Sequence, residues 1–210
     1  MIAVAYRWGV FLLAGFYLVW MLLIDADYSY AGGPFRFLTI WALILSFFSA
    51  SRMMALVERR SENDWPALVA VTATFNFMVV FLYWRLYLAD PDNVTGAAGP
   101  PDAWVQYYIH ALGPALQWAD MLVLHRNVRH LKRALGLFLV IVAVYILWVE
   151  ALVRPLNDRP VGDVTSGLPY PFLNDLDLAG RGAFYVQTVL SGVLVLLLVF
   201  ALGYLVRRRN

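Results

Sequence analysis

Six apolar runs, each close to the roughly 20 residues that a bilayer requires, decide what this chain can become. They fall at about 6–24, 35–57, 65–88, 103–125, 131–153 and 180–206. In lipid, a single run can satisfy its own backbone hydrogen bonds only as a helix. The expected fold is therefore all-α, a polytopic membrane protein with six transmembrane helices in one bundle, residues 1–210 forming one domain. Composition agrees: 14% of residues are charged, against about a quarter in soluble chains. The first run is too long for a signal-peptide core and lacks a small-x-small cleavage site after it, so it reads as a span. The chain has no cysteine, which removes disulfides, thiolate nucleophiles and cysteine-ligated metals. A net charge of +2, concentrated at the ends of the runs, argues against a nucleic-acid partner.

Charge sets the expected orientation, because cytoplasmic loops are enriched in Lys and Arg. With six spans the termini share a side. That side holds Arg7, Arg52, Arg59, Arg60, Arg126, Arg129, Lys132, Arg133, Arg207, Arg208 and Arg209, or 11 basic residues. The other side holds five, Arg36, Arg85, Arg154, Arg159 and Arg181, with most of the acids. Both termini are predicted cytoplasmic. Lys132 is the single lysine, a hint of a GC-rich bacterial genome and hence of the cell inner membrane. On the outer side, 89–102 reads as a solvated loop rich in Gly, Pro and Asp. Asn93, Val94 and Thr95 form a glycosylation sequon by letter. The segment 155–179 is longer than a simple connector, and its Tyr170-Pro171-Phe172 is expected to fold back over the outer mouth of the bundle.

The fourth run carries His110, Gln117 and Asp120 at membrane depth. Such groups are expensive in lipid and face a protein interior or a wet cavity. Pro114 in the same run lacks an N–H and clashes with the carbonyl four residues back. That carbonyl belongs to His110, so the helix is predicted to bend and to leave a free acceptor there. Pro34 is placed to start the second helix.

The second and fourth runs both descend from the outer side. Thr39 lies about one turn below the outer end and His110 about two, at roughly 1.5 Å per residue. A hydroxyl and an imidazole at one depth can form a nucleophile–base pair. The structural alternatives are a threonine bonded to a carbonyl one turn back and a histidine that bridges helices. Asp120, about 15 Å along the helix from His110, is too far to orient the imidazole. It is expected to pair with Arg52 or Asn76, or to be held neutral by desolvation. Asn76 reads as interhelical glue, and Glu150 with Arg154 as a helical ion pair. His125 and His130 are expected to be solvated. No metal-binding motif, GxSxG elbow or phosphate loop is present, and no cofactor is expected.

Three patches together resemble a known family: Phe37-Leu38-Thr39-Ile40-Trp41; His110 with Pro114 and Asp120; and Tyr145-Ile146-Leu147-Trp148 followed by Tyr170-Pro171-Phe172-Leu173. These look like the androgen-induced protein family, which includes the androgen-dependent regulator of tissue factor pathway inhibitor, and its bacterial relatives. The resemblance implies a multi-pass threonine hydrolase that cleaves fatty-acid esters of hydroxy fatty acids. It places the nucleophile at Thr39 and the base at His110, with a lipid substrate bearing a fatty acyl chain. Asn76, Gln117, Asp120, Tyr170, Asn174 and Gln187 are expected in supporting or substrate-binding roles. The rival expectations are a non-catalytic lipid-binding or regulatory membrane protein, and a small transporter or proton relay using His110, Asp120 and Glu150.

Overall fold

The computed structural model describes residues 1–95, 102–157 and 167–208. The sequence expectations for Arg159, for Arg209 and for parts of the two outer loops lie outside these. The described chain is 82% helix, without strands. Five helices are long and apolar enough to cross a membrane: α1 (Ile2–Ile24), α2 (Leu38–Val57), α3 (Pro66–Ala89), α5 (Leu131–Leu156) and α6 (Leu178–Arg208). Between α3 and α5 the run 103–125, here α4, is helical throughout but changes its winding three times. It passes from α-helix (Ala103–Tyr107) to π-helix (Tyr108–Leu112), back to α-helix (Gly113–Ala119), and again to π-helix (Asp120–His125). Pro34 does not begin α2. It lies in the first positions of a separate 3-10 turn, Gly33–Arg36, and extended Phe37 precedes the α-helix.

α3 runs through the middle and packs against α2, α4, α5 and α6, while α1 packs on α2 and α4. Position explains its sequence. Apolar residues surround α3 instead of forming a stripe, which suits a helix whose first half is buried against its neighbours while Phe77 and Phe81 face outward. Ala70, Val71 and Phe75 are essentially inaccessible, and Phe75 meets the ring of Phe138 on α5 edge-on. α6 comes close to α5 where Gly192 faces Phe138: a Cβ at Gly192 would stand 2.3 Å from the Phe138 ring. Outward-facing side chains of α1 and α6 such as Phe16, Leu190 and Leu194 are exposed and apolar, the surface a lipid environment covers.

Polar residues within the bundle act in pairs. Asn76 donates to Ser46 Oγ at 2.8 Å and to the Thr72 carbonyl at 2.9 Å, and Gln117 donates to the Ser46 carbonyl at 3.1 Å. Asn76 and Gln117 thus fasten α3 and α4 to one point of α2, two turns below Thr39. Asp120 pairs with neither Arg52 nor Asn76. Its partner is Arg7 of α1, with Nε–Oδ1 at 2.8 Å and Nη2–Oδ2 at 3.4 Å. Arg7 also donates to the Met53 carbonyl at 3.3 Å, so it is a buried member of the bundle and not a loop charge. His125 is half-buried beside the Asn127 carbonyl, whereas His130 is exposed.

A buried threonine–histidine pair at the head of an apolar cavity

Thr39 occupies the first turn of α2 and His110 the first π-turn of α4. Thr39 Oγ1 stands 3.4 Å from His110 Nε2. Free-state contacts between a nucleophile and its base are commonly this loose. The π-turn has a cause in the sequence. Pro114 offers no N–H to the His110 carbonyl, and Trp84 of α3 fills the vacancy, its indole donating to that oxygen at 2.9 Å. The bend expected at Pro114 is thus realised as a widened turn, and the freed acceptor is satisfied from a neighbouring helix.

The imidazole is 5% exposed and lies flat on the Tyr83 ring, with centroids 3.5 Å apart and planes 7° from parallel. The Gln106 carbonyl, one turn back, is near the ring, though Nδ1 has no hydrogen bond of good geometry. A carbonyl at that position favours the proton on Nδ1 and leaves Nε2 as the acceptor facing Thr39. Trp84→Phe leaves the His110 carbonyl buried without a donor, which costs about 1–3 kcal/mol. The expected result is a lower midpoint of thermal unfolding in detergent, with His110→Ala not sharing this defect.

The pair opens on a cavity of about 440 Å³. Phe75, Phe138 and Val142 line it on one side and Arg36, Asp25 and Asp27 stand at its charged mouth. Its long apolar wall comes from α3, α5 and α6, so helix packing rather than a loop shapes it. Over the mouth, the turn Asp92–Thr95 packs against the turn Pro171–Asn174. Tyr170 lines the cavity, and its hydroxyl accepts the Leu38 N–H at 3.1 Å. Tyr145 donates to the Arg36 carbonyl at 3.0 Å. These tyrosines hold the backbone on both sides of Phe37, and so fix the start of α2 that presents Thr39.

The other candidate residues divide. Asn174 braces the cap through Leu168, accepting its N–H at 3.0 Å and donating to its carbonyl at 3.3 Å. Asn76 and Gln117 lie below the cavity as described. Asp120 is spent on Arg7, bonded at 2.8 Å and 3.4 Å. Gln187 is exposed and does not line the cavity; its neighbour Thr188 does. Glu150 forms the ion pair with Arg154 at 3.1 Å, but it also accepts Arg181 and Tyr185, each at 2.9 Å. Sequence reasoning missed Tyr83, Trp84 and Arg36. The vacancy at the His110 carbonyl was the one signal pointing to Trp84, since it asked for a donor on an adjacent helix.

Several apolar helices around a lined cavity define an integral, multi-pass membrane protein. The sequence model of the FAR-17a/AIG1-like proteins matches residues 10–203. The chain belongs to that family, which is the androgen-induced protein family. No curated protein and no solved structure is similar enough to the chain to count as a match.

Proposed function

We propose that this protein is an intramembrane lipid-ester hydrolase acting on fatty-acid esters of hydroxy fatty acids. The observation that carries the reading is the 3.4 Å approach of Thr39 Oγ1 to His110 Nε2 at the head of the cavity. His110 takes the Thr39 proton as the oxygen attacks the ester carbonyl. The tetrahedral intermediate expels the hydroxy fatty acid, which leaves with the proton held by His110. Water, deprotonated by His110, then cleaves the acyl-threonine and restores both side chains. The first turn of α2 supplies donors for the oxyanion, since the opening N–H groups of a helix lack partners within it. The Leu38 N–H is taken by Tyr170, so the Thr39 N–H is the donor assigned here. The acyl chain lies along Val142 towards Phe75 and Phe138. The topology that goes with this reading has six spans, α4 being the fourth, and both termini cytoplasmic. The pair then sits shallow on the outer side, where water enters.

Purified protein incubated with a palmitoyl ester of hydroxystearic acid is expected to release palmitate. A co-purifying lipid with no release replaces this reading with a lipid-binding role for the same cavity. Gly192→Ala presses on the Phe138 ring from behind and drives it towards the cavity floor. The expected outcome is a chain-length profile shifted to shorter acyl groups, measured as relative kcat/KM across an acyl series.

A further inference from the structure

Arg36 is the one arginine or lysine among the described residues that line the cavity. Its Cζ lies 4.4 Å from the Tyr30 ring centroid and 4.9 Å from that of Phe37, so the guanidinium is held between two aromatic faces. Its Nε is buried and has no hydrogen-bond acceptor. It forms no ion pair within 4.0 Å among the described residues. Burial pulls its pKa below the ordinary arginine value, with Asp27 acting the other way. An arginine stays charged under such pressure, so what it lacks is an anion bonded to it.

Within the protein, Asp27 attracts Arg36 electrostatically but makes no ion pair with it within 4.0 Å. Asp25 and Asp27 stand at the same mouth. Asp27 is engaged by Ser29, accepting its N–H at 2.9 Å and its hydroxyl at 2.5 Å, and those bonds hold it below the usual carboxylate range. Burial and the nearby Asp102 push the Asp25 carboxyl up, away from its charged form. Arg36 is also three residues from Thr39, a separation of at most about 10 Å along the chain. A ligand whose carbonyl reaches Thr39 can therefore bring a second polar group to Arg36.

We propose that Arg36 anchors the free carboxylate of the lipid, so that the cavity selects acidic lipids over neutral ones. This rests on the ester-hydrolase reading for the identity of the bound ester. The guanidinium is a bidentate donor suited to a carboxylate, and the aromatic faces keep it from turning out to water. The esterified acyl chain takes the apolar cavity while the hydroxy acid holds its carboxylate at the mouth. A neutral ester such as a triglyceride leaves Arg36 buried without a counter-ion and is disfavoured.

The test separates anchoring from turnover. Binding of palmitate and of methyl palmitate to the full chain in detergent is measured at pH 8, together with hydrolysis of a palmitoyl-hydroxystearate and its methyl ester. The wild-type protein is expected to bind palmitate at least about tenfold more tightly. Arg36→Gln removes that preference and lowers kcat/KM for the acidic ester, while kcat/KM for the methyl ester rises as the buried charge is removed. Arg36→Lys restores part of the preference, which excludes misfolding as the cause. Asp27→Asn raises palmitate affinity by removing the competing charge. Equal wild-type binding of the two probes, or a preference that survives Arg36→Gln, overturns the anchor. Failure to cleave either ester while the Arg36-dependent preference persists overturns the hydrolase reading and leaves the anchor standing.

Discussion

Thr39→Ala is expected to lower hydrolysis of a hydroxy-fatty-acid ester by about 10³-fold or more, the scale seen when a nucleophile is removed from a pair acting as a unit. His110→Asn is expected to lower it by about 10²–10⁴, the usual contribution of a positioned acid–base group. The double variant should be little slower than Thr39→Ala alone, because each residue is useless without the other. Thr39→Ser keeps the oxygen and is expected to retain measurable activity. The measurement is single-turnover palmitate release, with binding of the ester recorded separately. Binding should survive in both variants, since the apolar wall from α3, α5 and α6 is untouched. A loss of binding equal to the loss of rate contradicts the assignment of these residues to chemistry.

The second large effect concerns the bundle. Asp120→Ala is expected to destabilise the protein by about 3–5 kcal/mol, because it strands a buried cation. Arg7 and Asp120 have side chains only 7% and 8% exposed. Arg7→Ala strands the carboxylate and should cost a similar amount. Replacing both, Arg7→Met with Asp120→Leu, removes the pair without leaving a charge and is expected to recover most of the loss. Thermal unfolding in one detergent reads all four proteins. Additive losses in the double variant contradict the pairing. The same comparison tests a proton relay: the hydrolase reading expects palmitate release by the double variant at close to the wild-type rate, while a relay through Asp120 abolishes it.

Much of the architecture was visible in the sequence, because hydropathy is a long-range sum that local detail barely disturbs. The apolar run at 103–125 appears as a helix with those limits. Its two π-turns were not visible, although Pro114 announced that the His110 carbonyl would need a new partner. Naming Trp84 as that partner required knowing which helices touch, and hydropathy carries no such information. Asp120 shows the same limit. Arg7 lies near the start of the chain and reads as one of the cytoplasmic-side charges, so nothing in the sequence marks it as the partner. Gln187 failed for a different reason. α6 is apolar on nearly every side, so nothing in its pattern tells the cavity face from the lipid face. Thr39 and His110 share a depth, a quantity set by rise per residue alone, and the family resemblance singles them out from the other polar residues. Their contact also needed α2 and α4 to be neighbours, which depends on the clamps that Asn76 and Gln117 make to Ser46. Arg36 enters the sequence reading only as one of five outer-side charges, because its missing ion pair is a property of the folded mouth.

The most direct test of the account is to look for an acyl group on Thr39. Protein mixed with a palmitoyl-hydroxystearate is quenched in acid within the first turnover, digested, and the peptide carrying Thr39 is weighed. The account predicts a palmitoyl adduct on that threonine, formed and lost at rates compatible with steady-state turnover, and absent from Thr39→Ala. Steady release of palmitate by Thr39→Ala at the wild-type rate, with no adduct at any quench time, contradicts it.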